Sequence, residues 1–314
     1  MARTAERHDG WAMLLAVASA VGTSTSGPLA KALVEGGWSP VGVALARAAL
    51  AALVLLVPGL LVLRGRWLAA RAAQRGVVVL GAFGIAGLVV CYFNAVMRLP
   101  VGVAMMIQYT SPTLVLGWTS WRQRRMPSGP TSLGALIAMA GLVMVVGLAS
   151  DTGASLAGVL WACGGAACLA IYFTVADSLS GLPPVGLAWL SLVVATLVTA
   201  AVAAVGLMPL RWTSNEVTLA GRDTSWLVPL LLLTLVATVF AYIASMASVG
   251  VLGARLASFV SLSELVSAIL IAWVVLGEVP KPVQLLGGLL IGVGVVLVRS
   301  ESTIGGLHAS PTSR

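Results

Sequence analysis

Long apolar runs joined by short polar connections make up most of the chain. A membrane-spanning helix needs about 20 consecutive apolar residues, and ten runs approach or reach that length. They lie near residues 11–34, 40–62, 76–97, 100–121, 131–149, 155–178, 184–206, 225–249, 253–276 and 282–299. The connections leave little room for a separate soluble domain. The pattern therefore predicts an all-α polytopic membrane protein with ten transmembrane helices, spans one to ten in chain order.

The composition excludes a soluble globular protein. Of the 314 residues, 59% are hydrophobic and 9% are charged, against about 25% charged residues in ordinary soluble domains. The net charge of +8 would suit nucleic-acid binding. Basic residues in so apolar a chain are, however, typical of loops that face an anionic cytoplasmic membrane surface. We therefore expect the lipid bilayer, and no nucleic acid, as a partner.

The basic residues orient the predicted spans. Eleven of the 18 Lys and Arg residues fall on the side that carries both termini in a ten-span chain, and four fall in connections on the opposite side. Cytoplasmic loops carry the basic excess, so both termini are predicted to be cytoplasmic and the protein to lie in the inner membrane. A signal peptide cleaved at Ala18-Ser19-Ala20 is the alternative interpretation of span one, but this span has a counterpart later in the chain.

Cysteine and histidine indicate neither a metal site nor a cofactor. Cys91, Cys163 and Cys168 lie inside apolar runs, where free cysteine behaves as a small hydrophobic residue, and their spacing implies no disulfide framework. His8 and His308 lie in the polar tails, far from any site within the membrane. Zinc chemistry and histidine acid–base catalysis are therefore not expected, whereas a serine or carboxylate enzyme stays open.

The two halves of the chain resemble each other at nearly constant spacing, which indicates an internal repeat. The separation of matched residues grows from 144 to 153, and this drift falls in connections, where insertions are tolerated. Matches that include Pro and Tyr are more informative than matches among Ala, Val and Leu. The matched pairs include Pro40 with Pro184, Tyr92 with Tyr242, Gly134 with Gly287 and Gly141 with Gly294.

Each copy holds five predicted spans, so the second copy enters the membrane from the opposite side. Inverted repeats of this kind are typical of secondary transporters, which hold their substrate near the midplane between the repeats. A structural membrane bundle with the same duplication is the alternative. The predicted organisation is a cytoplasmic tail over 1–10, a first repeat over 11–149, a second over 155–299 and a cytoplasmic tail over 300–314.

Several motifs resemble the EamA domain of the drug/metabolite transporter superfamily. The segment Tyr109-Thr110-Ser111-Pro112 resembles its fourth helix, and Leu276-Gly277-Glu278 resembles its ending. Pro40, followed seven residues later by Arg47, is similar to its second helix. The resemblance covers about residues 11–299 as two EamA domains. It implies ten helices, cytoplasmic termini and ATP-independent transport of small metabolites, often coupled to a proton gradient.

The sequence departs from the family pattern at three places. Arg124-Arg125 replaces the Gly-Glu pair after the fourth helix, and Glu264-Leu265 replaces a common Glu-Pro. Thr23-Ser24-Thr25 stands where the first helix usually has Trp-Gly-Ser. These departures preserve the expected fold but give no basis for transferring a substrate from a particular relative.

Charged residues at membrane depth are costly and therefore candidates for function. Glu264 lies about 15 Å into span nine, where it can exchange a proton between the two sides or bind a substrate amine; a role in helix packing alone is the alternative. Arg47 lies about 10 Å into span two, and its repeat counterpart is the neutral Ser191. Arg47 can bind a substrate carboxylate, neutralise Glu264, or extend to the lipid headgroups.

Two prolines predict local helix breaks beside polar side chains. Pro112 frees the backbone carbonyl of Gln108 in a patch that also contains Tyr109 and Ser111, and Ser111 is the repeat counterpart of Glu264. Pro28 does likewise in span one. Such breaks are tolerated where they face protein or a cavity. Each break can therefore mark a binding site, or it can be a harmless kink whose free carbonyl accepts a hydrogen bond from a Ser or Thr hydroxyl.

Aromatic and small residues complete the candidates. Tyr92, Tyr172 and Tyr242, with Asn94, can line a cavity and contact a substrate, or can simply pack in the core. Gly288 and Gly292 form a GxxxG pair in span ten, which suggests close helix contacts and a possible homodimer.

The sequence thus predicts a secondary active transporter for a small metabolite, either an amino acid or an amphiphilic drug-like compound. Proton-coupled or facilitative export by alternating access is the expected mechanism. The alternative functions are a membrane channel and a membrane-embedded enzyme.

Overall fold

The computed structural model describes residues 2–111, 114, 155–179, 181–248, 262–277, 279 and 281–307, with scattered positions between 129 and 144. Within these residues, five helices are long and apolar enough to cross a membrane, or six if one bent pair counts as a single span. The protein is therefore a helical, multi-pass membrane protein. Most of predicted span five lies outside the described residues, as do Pro112, Arg124, Arg125 and Glu278.

Eight helices are described in the first repeat. They are α1 Ala2–Ser24, α2 Ser26–Glu35, α3 Pro40–Val54, α4 Leu56–Leu63, α5 Trp67–Ala72, α6 Gln74–Val79, α7 Leu88–Val96 and α8 Val101–Gln108. A π-helical segment, Leu80–Gly87, joins α6 to α7 within span three.

The described part of the second repeat adds helices α9 to α13 and a hairpin. The elements are α9 Leu156–Ser178, α10 Pro184–Ala204, strands β1 Glu216–Leu219 and β2 Arg222–Ser225, and helices α11 Leu227–Thr234, α12 Leu262–Leu276 and α13 Pro282–Leu307. A second π-helical segment, Leu235–Phe240, follows α11 within span eight.

Span one is broken at Thr25, between α1 and α2. Pro28 has no N–H, so the carbonyl four residues earlier, that of Ser24, loses its helical partner. Upstream of the break, the Ser24 and Thr25 hydroxyls donate to the carbonyls of Val21 and Gly22, both at 2.7 Å. The break turns the following residues of α2 toward the interior, where Ser26, Gly27 and Pro28 are buried.

Span two bends by 53° between α3 and α4, a feature that the sequence analysis did not anticipate. Pro58 lies inside α4 and removes the hydrogen bond to the carbonyl of Val54. Sharp kinks in helices commonly arise at proline, so Pro58 accounts for the bend.

The contacts between spans occur in related pairs, as a repeat requires. Helix α9 of span six packs on α7 of span three, and α1 of span one packs on the π segment of span eight. Likewise α9 packs on α8 of span four, and α1 packs on α12 of span nine. The π segments also occur in matching spans, three and eight. Duplication of one helical unit explains both observations.

An antiparallel hairpin lies at one end of the bundle, beside a hydrogen bond that joins two loops. Strands β1 and β2 pair with Glu216 opposite Ser225, and the turn uses Ala220 and Gly221, which have φ of 52° and 73°, as a two-residue turn of this kind requires. Nearby, the Trp38 indole donates to the carbonyl of Thr213 at 2.9 Å. The loop before α11 is thus joined to the loop before α3.

The glycine pair of span ten has unequal surroundings. A Cβ atom on Gly288 would lie 2.8 Å from the Met106 side chain of the same chain, whereas a Cβ on Gly292 would meet nothing within 4 Å. Both glycines line an apolar groove between α8, α12 and α13. Gly288 therefore allows close packing of α13 against α8 within the chain, and a homodimer through span ten stays a prediction.

Candidate functional site

A small polar cavity lies between spans one, two, three, four, six, eight and nine. Its volume is about 90 Å³, which is room for about three water molecules at about 30 Å³ each. Its polar lining comprises Ser19, Thr23, Ser26, Arg47, Tyr92, Gln108, Tyr109, Tyr172, Tyr242, Ser245, Ser248 and Glu264. Residues from both repeats therefore form one cavity.

Arg47 projects from α3 into the cavity and is only 3% exposed. Its guanidinium donates to the Ser26 hydroxyl at 3.0 Å and to the Tyr242 hydroxyl at 3.4 Å. The same group lies 5.7 Å from the centre of the Phe93 ring and 5.9 Å from that of Tyr242, within the range of cation–π attraction. The interpretation of Arg47 as a residue that extends to the headgroups is therefore wrong.

Glu264 enters the same cavity from the first turn of α12. Its carboxylate accepts a hydrogen bond from the Tyr109 side chain. Within the described residues, Arg47 and Glu264 each bond to hydroxyl groups and not to each other. The cavity thus contains a guanidinium and a carboxyl group with no direct bond between them.

Gln108 adds a hydrogen-bond acceptor to this cavity from the end of α8. Its side-chain oxygen is buried and has no hydrogen-bond partner among the described residues. A Cβ on Gly165 of α9 would lie 2.9 Å from that oxygen, so the absence of a side chain at 165 leaves room for the amide. The Ser111 hydroxyl is also buried without a partner in the described part of the chain, but Ser111 does not appear in the cavity lining described above.

The three tyrosines lie around the charged pair. The rings of Tyr172 and Tyr242 are 6.2 Å apart, and the Tyr172 hydroxyl hydrogen bonds with Ser245. Tyr92 packs against Gly27, where a Cβ would overlap the tyrosine hydroxyl. The break near Pro28 thereby brings a glycine backbone against the ring of Tyr92.

Asn94, a candidate from the sequence, lies outside this group. Its side-chain nitrogen donates to the carbonyl of Val90 at 2.9 Å, and its oxygen accepts from Arg98 at 3.3 Å. Arg98 also donates to the backbone carbonyl of Asn94 at 2.7 Å. Asn94 therefore holds an arginine at the end of α7 and is not part of the described cavity lining.

Serines of span one were not singled out as site residues by the sequence analysis. Ser26 is the closest described partner of Arg47, at 3.0 Å, and Ser19 donates to the carbonyl of Ala241 at 2.7 Å. The one signal for Ser26 in the sequence is its position two residues before Pro28. Backbone groups beside a proline break lose their helical hydrogen bonds, so polar side chains are expected there.

Comparisons with known proteins agree with this architecture. The model of the EamA-like transporter family matches residues 10–147 and again residues 156–300. A protein known from its crystal structure aligns with a TM-score of 0.60 and 20% sequence identity, over 95% of this chain and 99% of that one. It is one of 26 matching chains of solved structures, and at this identity the likeness shows the fold alone. None of the curated proteins matches the sequence.

Proposed function

Because the chain belongs to the EamA-like transporter family, we propose that it is a secondary active transporter for a small zwitterionic metabolite, an amino acid or a close analogue. Each of the two family matches covers one repeat. The proposal places the protein in the cytoplasmic membrane with both termini inside, as the basic loops indicate. Alternating access follows from a cavity formed between two related halves.

The observation that carries the substrate class is the pair of opposite charges in one cavity. The guanidinium of Arg47 is planar, and its paired N–H donors match the two oxygens of a carboxylate. Hydrogen bonds to Ser26 and Tyr242 hold it in place. Glu264 and the unpartnered oxygen of Gln108 are acceptors that match an ammonium group. An α-amino acid carries both groups, and its binding would give Arg47 and Glu264 each a partner of opposite charge.

Cavity size favours an amino acid over a drug-like amphiphile. The cavity volume of about 90 Å³ is well below the about 300–1,000 Å³ of pockets that hold drug-sized ligands. A larger amphiphile would require the cavity to widen. The tyrosine rings around Arg47 supply apolar surface for a short side chain.

Glu264 is also the proposed proton-coupling group. A carboxylate in contact with the cavity can be protonated when the cavity faces one side and deprotonated when it faces the other. Proton binding and amine binding then compete for the same oxygen atoms, which couples the two fluxes without any further component.

The test is counterflow in proteoliposomes that contain the purified protein. Vesicles loaded with one unlabelled amino acid at millimolar concentration should accumulate the labelled form transiently, and a panel of zwitterions, amines and carboxylic acids defines the class. Glu264→Gln should reduce the accumulation of zwitterions without abolishing it, whereas Glu35→Gln, which removes an exposed glutamate at the end of α2, should leave accumulation unchanged. Conductance without saturation would favour a channel, and chemical conversion of the label would favour an enzyme; either result would refute the proposal.

A further inference from the structure

Two cysteines lie against each other at the interface between the repeats. Cys91 of α7 belongs to the first repeat and Cys168 of α9 to the second, and their side chains are hydrogen-bonded to each other. Both are free thiols of intermediate exposure. No step in the proposed transport cycle uses either of them.

Glycines bring the two helices close together at this point. Gly87 precedes Cys91 by one turn, and Gly164 precedes Cys168 by one turn. A Cβ on Gly87 would lie 3.0 Å from the sulfur of Cys168, and a Cβ on Gly164 would lie 3.2 Å from the sulfur of Cys91. Each thiol therefore occupies the space that a glycine of the other helix leaves open. Disulfides need Cα atoms about 4.4–6.8 Å apart, so a link between the two thiols requires spans three and six to bring Cys91 and Cys168 within that range.

The pair lies at the edge of the cavity wall. Tyr92 and Leu169, the residues that follow the two cysteines, line the cavity, whereas Cys163 of the same helix is exposed on the bundle surface. In a membrane protein that surface faces lipid, and Cys91 and Cys168 are themselves only half-buried, so a lipid-soluble reagent is the suitable probe for the two thiols.

The equivalent contact in the other half is held differently. Spans one and eight are the repeat counterparts of spans six and three, and there the Ser19 hydroxyl donates to the carbonyl of Ala241 at 2.7 Å. A hydrogen bond can break and re-form as the helices move. Two thiols between spans three and six can instead be converted into a covalent link.

We propose that Cys91 and Cys168 form a reversible disulfide that ties the first repeat to the second and arrests the conformational cycle. The consequence for transport rests on the proposed function. The oxidant is a lipid-soluble disulfide of the type R–S–S–R. One cysteine, as its thiolate, attacks a sulfur of the reagent and forms a mixed disulfide, and R–S⁻ leaves. The second thiolate then displaces the remaining R–S⁻, so the protein loses two protons and two electrons and the reagent becomes two molecules of R–SH.

Arrest follows from the geometry of the bond. Alternating access needs the interface between the repeats to have two arrangements. A disulfide tolerates a range of only about 2 Å in Cα separation, so it holds spans three and six in one of them. Reduction by a dithiol restores the mobile interface.

The experiment treats the reconstituted protein with 4,4′-dipyridyl disulfide in a Cys163→Ala background, which removes the exposed thiol. Mass spectrometry should find Cys91 and Cys168 joined, with two hydrogens lost and no pyridylthio group retained. In the same background, Cys91→Ala and Cys168→Ala should each retain one pyridylthio group. Treated protein with both cysteines should lose most of its counterflow, dithiothreitol should restore it, and the two single-cysteine variants should keep most of theirs.

Two results would overturn the inference: a pyridylthio group on each cysteine instead of a link, or a linked protein that transports as fast as the reduced one. If the reduced protein transports no amino acid, the proposed function fails by itself. In that case amide hydrogen exchange decides the inference, because the link should slow exchange in spans three and six of the oxidised protein, and unchanged exchange would refute the arrest.

Discussion

Replacing Arg47 with glutamine should weaken the binding of a zwitterion and leave the binding of the matching amine unchanged. Arg47 is 3% exposed and lies in the cavity lining, where its guanidinium can bind a substrate carboxylate under the proposed function. A hydrogen bond to a charged group contributes about 1.5–3 kcal/mol. At about 1.4 kcal/mol per tenfold change, the loss of one such bond corresponds to about 10- to 140-fold weaker binding.

The assay is calorimetric titration of the purified protein with an amino acid and with the amine that lacks its carboxylate. Arg47→Gln should weaken binding of the amino acid by about 10- to 140-fold and change binding of the amine by less than about twofold. A twofold change is about 0.4 kcal/mol, less than the about 0.5–1.5 kcal/mol of an ordinary hydrogen bond. Arg47→Lys should fall between, because an ammonium keeps the charge but lacks the planar fork. Arg222→Gln, on the exposed strand β2, is the matched control for the loss of a surface arginine.

An equal loss of affinity for the amino acid and for the amine would contradict this prediction. Arg47 also holds Ser26 and Tyr242 and lies against two rings, so its removal can disturb the cavity without any contact to substrate. Equal weakening would assign Arg47 to packing alone and would remove the main support for a zwitterionic substrate. Ser26→Ala separates the two effects, because it removes the 3.0 Å partner and keeps the charge.

Two further predictions concern the coupling residue and the packing between the repeats. Glu264→Gln should make the initial rate of uptake independent of pH, while Glu35→Gln should keep the wild-type pH profile; a pH-dependent Glu264→Gln protein would exclude Glu264 as the coupling group. Gly81→Ala places a Cβ 2.6 Å from the backbone carbonyl of Ser191, which cannot move aside like a side chain, so we expect destabilisation by about 1–3 kcal/mol in thermal unfolding. Gly292→Ala, which meets nothing within 4 Å, is the control, and an equal loss in both variants would contradict the packing argument.

The positions of charges were predictable from the sequence because charge at membrane depth is costly. Glu264 and Arg47 were placed in different spans by residue counting, and both line the cavity. Gln108 and the three tyrosines line it too. These residues were predictable because a polar side chain near the midplane of an apolar span must avoid lipid, and it can do so by facing a polar site inside the protein.

Other features depend on which helix faces meet, and that information is not local. The bond between Arg47 and Ser26 joins residues 21 positions apart, and that with Tyr242 joins residues 195 apart. Asn94 could not be assigned from its polarity, because a short amide can bond to the preceding turn of its own helix, as it does with Val90. The contact between Cys91 and Cys168 likewise depends on the pairing of spans three and six.

The two charges of the cavity come from different repeats, and each has a serine at its counterpart. Arg47 corresponds to Ser191 and Glu264 to Ser111, and both serine hydroxyls are buried without a partner in the described part of the chain. Neither serine lines the cavity, so Arg47 and Glu264 lie there without like-charged counterparts. One group of each kind, one per repeat, gives the cavity a basic and an acidic end. Under the proposed function, a zwitterion then binds in one orientation only, and movement of one repeat against the other changes the separation of the two groups that hold it.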